Sequence, residues 1–330
     1  MGGIPRIQFG LLALAAFLLT SAPPAGAQRV SAGIHRIGFL GPPEEPRFSE
    51  IREGLMHGLG DLGLSSQDIE ILEVRLPRGD QSQVAAAVQK LIQQRVRALV
   101  VIGSNLAKLA READSRLPIV YLTPGDPVRH GLAKSLARPG GNTTAMTFEY
   151  PELAGKRLEL LKDMFPRARR VLILYDPRDD SPRRGAAAAR EAASKLGLEL
   201  VEREVRTRED IARGLEALGQ ADALLAIPGG LPTGHYAEII RAANARRVPT
   251  MFHSHAKDTA VALASYGAAD AAVARQMARH VAKILRGEKA GNLPVERPLN
   301  LQLIINLKTA KALGLTIPPE VLQRADRVIR

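Results

Sequence analysis

The chain has 330 residues, a formal charge of +12 at pH 7, and neither cysteine nor tryptophan. That length exceeds one ordinary core, so two domains are expected, and the lack of cysteine excludes disulfides and any lipid anchor attached through a thiol. The basic residues lie in short, dispersed clusters such as Arg167-Ala168-Arg169-Arg170, Arg183-Arg184 and Arg246-Arg247, with no basic tail; this is the pattern of a solvated surface, and no nucleic-acid partner is expected.

The N-terminus reads as an export signal. Arg6 supplies a positive start, Phe9–Leu19 an apolar run, and Ala25-Gly26-Ala27 a small-x-small cleavage pattern, so residues 1–27 are expected to be removed and the mature chain to begin at Gln28. The apolar run is too short for a bilayer, which needs about 20 residues. No later run approaches that length.

From there strands and helices alternate. Ile34–Leu40 is an apolar strand ending in Gly41-Pro42-Pro43, Phe48–Leu62 has helical spacing, and Ile69–Leu76 reads as a strand. Asp80–Gln94 is a helix with Val84, Val88, Leu91 and Ile92 on one face. Ala98–Ile102 and Pro118–Leu122 are unbroken apolar strands around a short helix, Leu106–Asp114. Such strands, separated by amphipathic helices, imply a parallel sheet covered on both faces. The turn-rich stretch Arg138-Pro139-Gly140-Gly141-Asn142 marks a break, after which the pattern restarts. Strands are expected at Thr144–Phe148, Arg170–Tyr175, Leu198–Val205, Ala223–Ile227 and Pro249–Phe252, with helices at Leu153–Met164, Gly185–Leu196, Arg208–Leu218 and Tyr236–Ala245. The last third offers a strand at Val261–Tyr266, a long helix at Ala269–Leu285, an extended linker at Pro294–Pro298, a strand at Leu299–Ile305, a short helix at Lys308–Leu313 and a tail. These pieces are too few for a third core, so they should complete the two earlier sheets. The chain must then cross between lobes more than once, making a hinge with a cleft.

In open α/β sheets ligands sit beyond the carboxyl ends of strands. The residues there are Gly41 and Pro42, Ser104 and Asn105, Thr123 and Asp126, Tyr175 and Asp176, Pro228 and Gly229, and Tyr266, with Phe148 closing its own strand. The helix start after Ser104 suits a carboxylate and Asp126 suits an ammonium, the pair an amino-acid zwitterion requires. Each has a plainer alternative: Ser104 as a helix cap, Asp126 as a turn former before Pro127, Tyr266 as core. Signals for catalysis are absent. Prolines interrupt Gly38-Phe39-Leu40-Gly41-Pro42-Pro43 where a dinucleotide loop needs free N–H groups, and neither a Walker loop nor Gly-x-Ser-x-Gly occurs. His253-Ser254-His255 puts two imidazoles on one face of an extended segment without a third ligand, while Glu44-Glu45 and Asp179-Asp180 read as solvated turns. No enzyme activity, metal or cofactor is expected.

The chain resembles the ABC-transporter substrate-binding family that includes the tryptophan- and tyrosine-type binding proteins. The resemblance is carried by Gly125-Asp126-Pro127-Val128, Ser135 through Thr144, Lys156 through Lys162, Ser265-Tyr266-Gly267 and, most specifically, Leu293-Pro294-Val295-Glu296 through Ile305-Asn306-Leu307-Lys308-Thr309-Ala310-Lys311-Ala312-Leu313-Gly314-Leu315-Thr316-Ile317-Pro318-Pro319. It implies the periplasmic-binding type I fold: two Rossmann-like lobes with parallel doubly wound sheets, three hinge crossovers, and lobes interleaved as 34–145 with 260–297 and 146–259 with 298–330. It further implies a periplasmic monomer that closes on an amino acid or related acid and delivers it to an ABC permease in the inner membrane. An exported sensor docking on a receptor or sensor kinase is the alternative. Gly229-Gly230 and Asp176 depart from the family pattern, where a polar or acidic residue and an asparagine are common.

Overall fold

The computed structural model describes residues 2, 33–41, 47–76, 81–148, 150–255, 259 and 261–330. The expected signal segment (apart from residue 2), Pro42 and the Glu44-Glu45 pair lie outside them. Among the described residues no helix is long and apolar enough to cross a membrane.

The unbroken apolar runs become the centres of two sheets. β1 (His35–Gly41), β2 (Ile69–Arg75), β3 (Ala98–Ile102), β4 (Ile119–Thr123) and β5 (Thr143–Thr147) form an all-parallel sheet ordered β2-β1-β3-β4-β5. β5 reads Thr-Thr-Ala-Met-Thr yet is buried throughout. Its hydroxyls are satisfied, Thr143 donating to the Leu132 carbonyl at 2.5 Å, Thr144 to Leu293 at 2.9 Å and Thr147 to Gly125 at 2.8 Å. The helices α2 (Gln81–Gln93) and α3 (Ser104–Ala113) bury Val84, Val88, Leu91, Ala107 and Ala110 with this sheet.

The other face carries α1 (Arg47–Asp61) against α8 (Asp270–Leu285), a helix supplied from far along the chain. Gly54 and Gly58 make that contact possible. A Cβ on Gly54 would lie 2.2 Å from the Ala271 carbonyl oxygen, and one on Gly58 2.3 Å from that of Arg275. Two glycines on one helix face let the backbones touch, although a glycine inside a helix costs about 1 kcal/mol relative to alanine.

The second sheet is ordered β12-β11-β10-β9-β8-β6-β7, from β6 (Arg170–Tyr175), β7 (Glu199–Glu204), β8 (Ala223–Ala226), β9 (Thr250–Phe252), β10 (Ala264–Gly267), β11 (Gln302–Asn306) and β12 (Arg327–Ile329). α4 (Tyr150–Met164) and α5 (Asp180–Leu196) cover one face, and α6 (Arg208–Glu216) and α7 (Tyr236–Ala245) the other. α5 begins at Asp180, not at Gly185 as the sequence predicts, because Asp179 caps it by accepting from the Ser181 amide and Pro182 falls in its first turn.

The chain crosses between the sheets three times: after β5, after β10 and between Glu296 and β11. Ala264–Gly267, expected in the first lobe, is hydrogen-bonded in the second sheet between β9 and β11, so only α8 and the segment up to Glu296 return to the first. Glu296 adds to the edge of β5, its amide donating to Ala145 at 3.0 Å and its carbonyl accepting from Thr147 at 2.9 Å. The second sheet is not wholly parallel: β10 and β11 are antiparallel, with Gly267 opposite Gln302. β10 leaves the sheet at the end facing the first lobe, and β11 enters from there, so the two must run in opposite directions. The expected tail is ordered too. α10 (Pro319–Gln323) buries Val321, and β12 pairs parallel to β11, where Asp326 accepts from the Leu303 amide at 2.7 Å.

Candidate functional site

In each sheet the strand order reverses once, between β1 and β3 in the first and between β6 and β8 in the second. Crevices open at such switch points. A cavity of about 650 Å³ lies across both, lined from the first sheet by Ile102, Gly103 and Ser104 after β3 and from the second by Asp176 after β6 and Pro228 and Gly229 after β8. That volume suits a small molecule.

The two walls differ in chemistry. The first lobe contributes mainly hydrocarbon, from Phe48 and Ile51 on α1, Leu76, Val84, Leu106, Leu109 and Phe148, with Ser104, Asn105 and His130 as its polar members. Phe48 lies edge-on to Phe39, ring centroids 4.6 Å apart. The second lobe contributes polar groups: Asp176, Arg178, Asp179, Ser181, Arg206, Thr207 and Arg208. The N-terminus of α6 is fixed by a capping box in which Thr207 and Asp210 each take the other's amide, which holds Arg206 and Arg208 at the rim. Amide hydrogen bonds from Arg206 and Thr207, with Arg213, lower the Asp210 pKa to about 2. Ser181 Oγ donates across the walls to the Pro124 carbonyl at 3.2 Å.

The most ordered polar feature is the Asp176–Arg178 pair. Asp176 is buried, and its Oδ1 accepts from the Arg178 amide at 3.0 Å and from Arg178 Nε at 2.9 Å. Its Oδ2 accepts from Arg178 Nη2 at 2.7 Å and from the Leu231 amide at 3.3 Å. Burial pushes this carboxyl up, but the Arg178 guanidinium and the two amides outweigh it and hold the pKa below the usual carboxylate value. Gly230 makes room for the arrangement. Its φ is 63°, and a Cβ there would sit 2.3 Å from Asp176 Cβ. Gly230 is thus the complement of an aspartate at 176, while Gly229, with φ 105°, packs beside Pro182.

The expected site residues divide. Ser104, Asn105, Phe148, Asp176, Pro228 and Gly229 line the cavity. Gly41, Thr123, Asp126, Tyr175 and Tyr266 do not appear among its described lining residues. Gly41 lies beneath the Phe48 ring, which a Cβ would approach to 2.8 Å. Thr123 is buried, shares a 2.5 Å hydrogen bond with Ser104 Oγ and accepts from the Gly125 amide at 3.0 Å, so it shapes the loop after β4. Asp126 closes a turn, accepting from the Val128 amide at 2.8 Å, and faces Arg129 at 3.9 Å. Tyr175 is packed in the second core with its hydroxyl 3.4 Å from Glu204, and burial, then Glu204, raises its pKa. Tyr266 packs against the same core and its carbonyl accepts from Arg157 Nε at 2.7 Å. Gly103, not Ser104, is the N-cap of α3. Asp179, expected in a solvated turn, both caps α5 and lines the cavity. His253 is buried against Tyr236, whose hydroxyl is 3.3 Å from its Nδ1. Among the described residues no group of three or more potential ligands could hold a metal.

Sequence reasoning missed the apolar wall and the arginines. Val84 and Leu106 read as helix faces bound for the core, and the Asp-x-Arg spacing at 176–178 was the one available signal for the pair.

The family model for ABC transporter substrate binding proteins matches residues 36–329. A tyrosine-binding protein of Clostridioides difficile is 25% identical over 273 residues, covering 82% of this chain and 79% of the relative. Among solved structures, an ABC domain in complex with L-Trp from Streptococcus pneumonia is 25% identical with a TM-score of 0.79, and a conserved domain protein from Vibrio cholerae is 25% identical with a TM-score of 0.78. Each covers 90% of this chain and is itself covered completely. The fold is the periplasmic-binding type I fold of these neighbours. The chain belongs to the ABC transporter substrate binding protein family, which is a family of solute-binding proteins and not of enzymes.

Proposed function

We propose that this protein is the exported solute-binding component of an ABC-type importer, capturing a small amino acid or related acid in the cavity between its lobes and presenting it to an inner-membrane permease. The observation that carries the reading is the cavity across both switch points, with a mainly apolar wall on one lobe and the charged groups on the other. Relatives that carry tyrosine or tryptophan in their names support the ligand class. The expected signal sequence supports a periplasmic location, reached as a monomer. Lobe boundaries follow the crossings after Thr147, after Gly267 and after Glu296. Three linkers of this kind permit a hinge, so ligand binding closes one lobe on the other.

A thermal-shift screen of amino acids and their deaminated acids tests the reading. A true ligand at about 100 times its Kd adds about 2.7 kcal/mol of stability. Small-angle scattering should show the radius of gyration falling on saturation. A panel without a single stabilising member would count against the reading.

A further inference from the structure

A guanidinium has five N–H donors and two edges that each suit a carboxylate: one from Nε with Nη2, the other from Nη1 with Nη2. In Arg178 the first edge is taken by Asp176. Nη1 has no hydrogen-bond partner among the described residues. The Arg178 side chain remains 58% exposed while that of Asp176 is 6% exposed, and Arg178 lines the cavity. A buried carboxylate thus holds a cation in fixed orientation with its second edge unoccupied.

The wall offers little to an ammonium. Asp176 already accepts four hydrogen bonds. Asp179 spends one oxygen on the Ser181 amide at the start of α5. Asp126 is committed to its own turn. Among the described lining residues the carboxylates are Asp176 and Asp179, so an ammonium would have one outer carboxylate oxygen of Asp179 to face, with only the neutral side-chain oxygens of residues such as Ser104, Asn105 and Thr233 besides, and with Arg178, Arg206 and Arg208 close by. Opposite them the wall is mainly hydrocarbon, from Phe48, Ile51, Leu76, Ile102, Leu106 and Phe148, and carries no carboxylate among the described lining residues.

We infer that the cleft selects an apolar carboxylic acid without an ammonium group, its carboxylate held by the Nη1–Nη2 edge of Arg178 and its hydrocarbon part laid on the first lobe. The inference rests on the binding-protein reading and names the ligand class for that same site.

Titration calorimetry with two matched pairs tests it: 4-methylpentanoate against leucine, and 3-phenylpropanoate against phenylalanine. At least one acid should bind, about tenfold or more tightly than its amino acid. D176N/R178Q, which leaves no lone buried charge, should melt near the wild type yet bind the acid about tenfold or more weakly. Amino acids binding as well as the acids, or wild-type affinity in the double variant, would overturn the inference and leave the binding-protein reading intact. Binding of neither class by the wild type would overturn both.

Discussion

Gly230 shows how much a single residue decides. Its positive φ and its contact with Asp176 are independent constraints, and a methyl group violates both. G230A should lose about 1–3 kcal/mol in urea unfolding and bind ligand more weakly, because Asp176 can no longer hold Arg178. Gly219 is the matched control. It is exposed, has no positive φ and has nothing within 4 Å of an added Cβ, so G219A should change stability by less than about 0.5 kcal/mol. In the sequence both are loop glycines between strands. Only the approach of the loop after β8 to the loop after β6 separates them.

At the scale of elements, α1 carries glycines with opposite expectations. G58V drives a side chain into the backbone of α8 and should cost about 1–3 kcal/mol or more by urea midpoint. G60A, with open space at its Cβ, should gain up to about 1 kcal/mol from helix propensity. The existence of α1 was legible from its apolar spacing and that of α8 from its length. Their contact was not, because they are separated by more than 200 residues and both have small residues where they touch. The same holds for β10. Its apolar run announced a strand, but sheet membership depends on which edge has open hydrogen-bonding groups, and that edge is β9.

For the whole molecule, acid should act in two stages. His280 is buried on α8, its Nε2 donating to the Pro294 carbonyl at 2.9 Å, with Glu296, Arg279 and Lys283 around it. Burial lowers its pKa from 6.5, outweighing Pro294 and Glu296. Burial, followed by Arg97, lowers His35, and burial, followed by Arg327, lowers His255. A histidine with a depressed folded-state pKa binds protons more readily when unfolded. Its stabilisation is complete above about pH 6.5 and is lost as pH falls below that value. Carboxylates such as Asp176, depressed in the fold, release their contribution only below about pH 4. The melting temperature should therefore decline first as pH falls below about 6.5, and H280Q should flatten that first decline without removing the second. The Ser181–Pro124 bond is a direct polar tie between the walls, so S181A should keep the fold and raise Kd by a factor of about 2–10.

Periodicity is a local property, and by itself it determined the alternating strands and helices, the two doubly wound sheets and the expectation of a cleft. The turn chemistry of Asp126 and the apolar faces of α1 and α3 were equally local, but their destinations were not. Side chains reach the cavity according to strand order, and order is set by which edges pair, a choice made between segments distant in sequence. Tertiary structure alone therefore decided that Asp176 is buried under Gly230 and turns Arg178 outward, that Asp126 stays in its turn, and that Phe48 and Leu106 line the cavity between the two sheets.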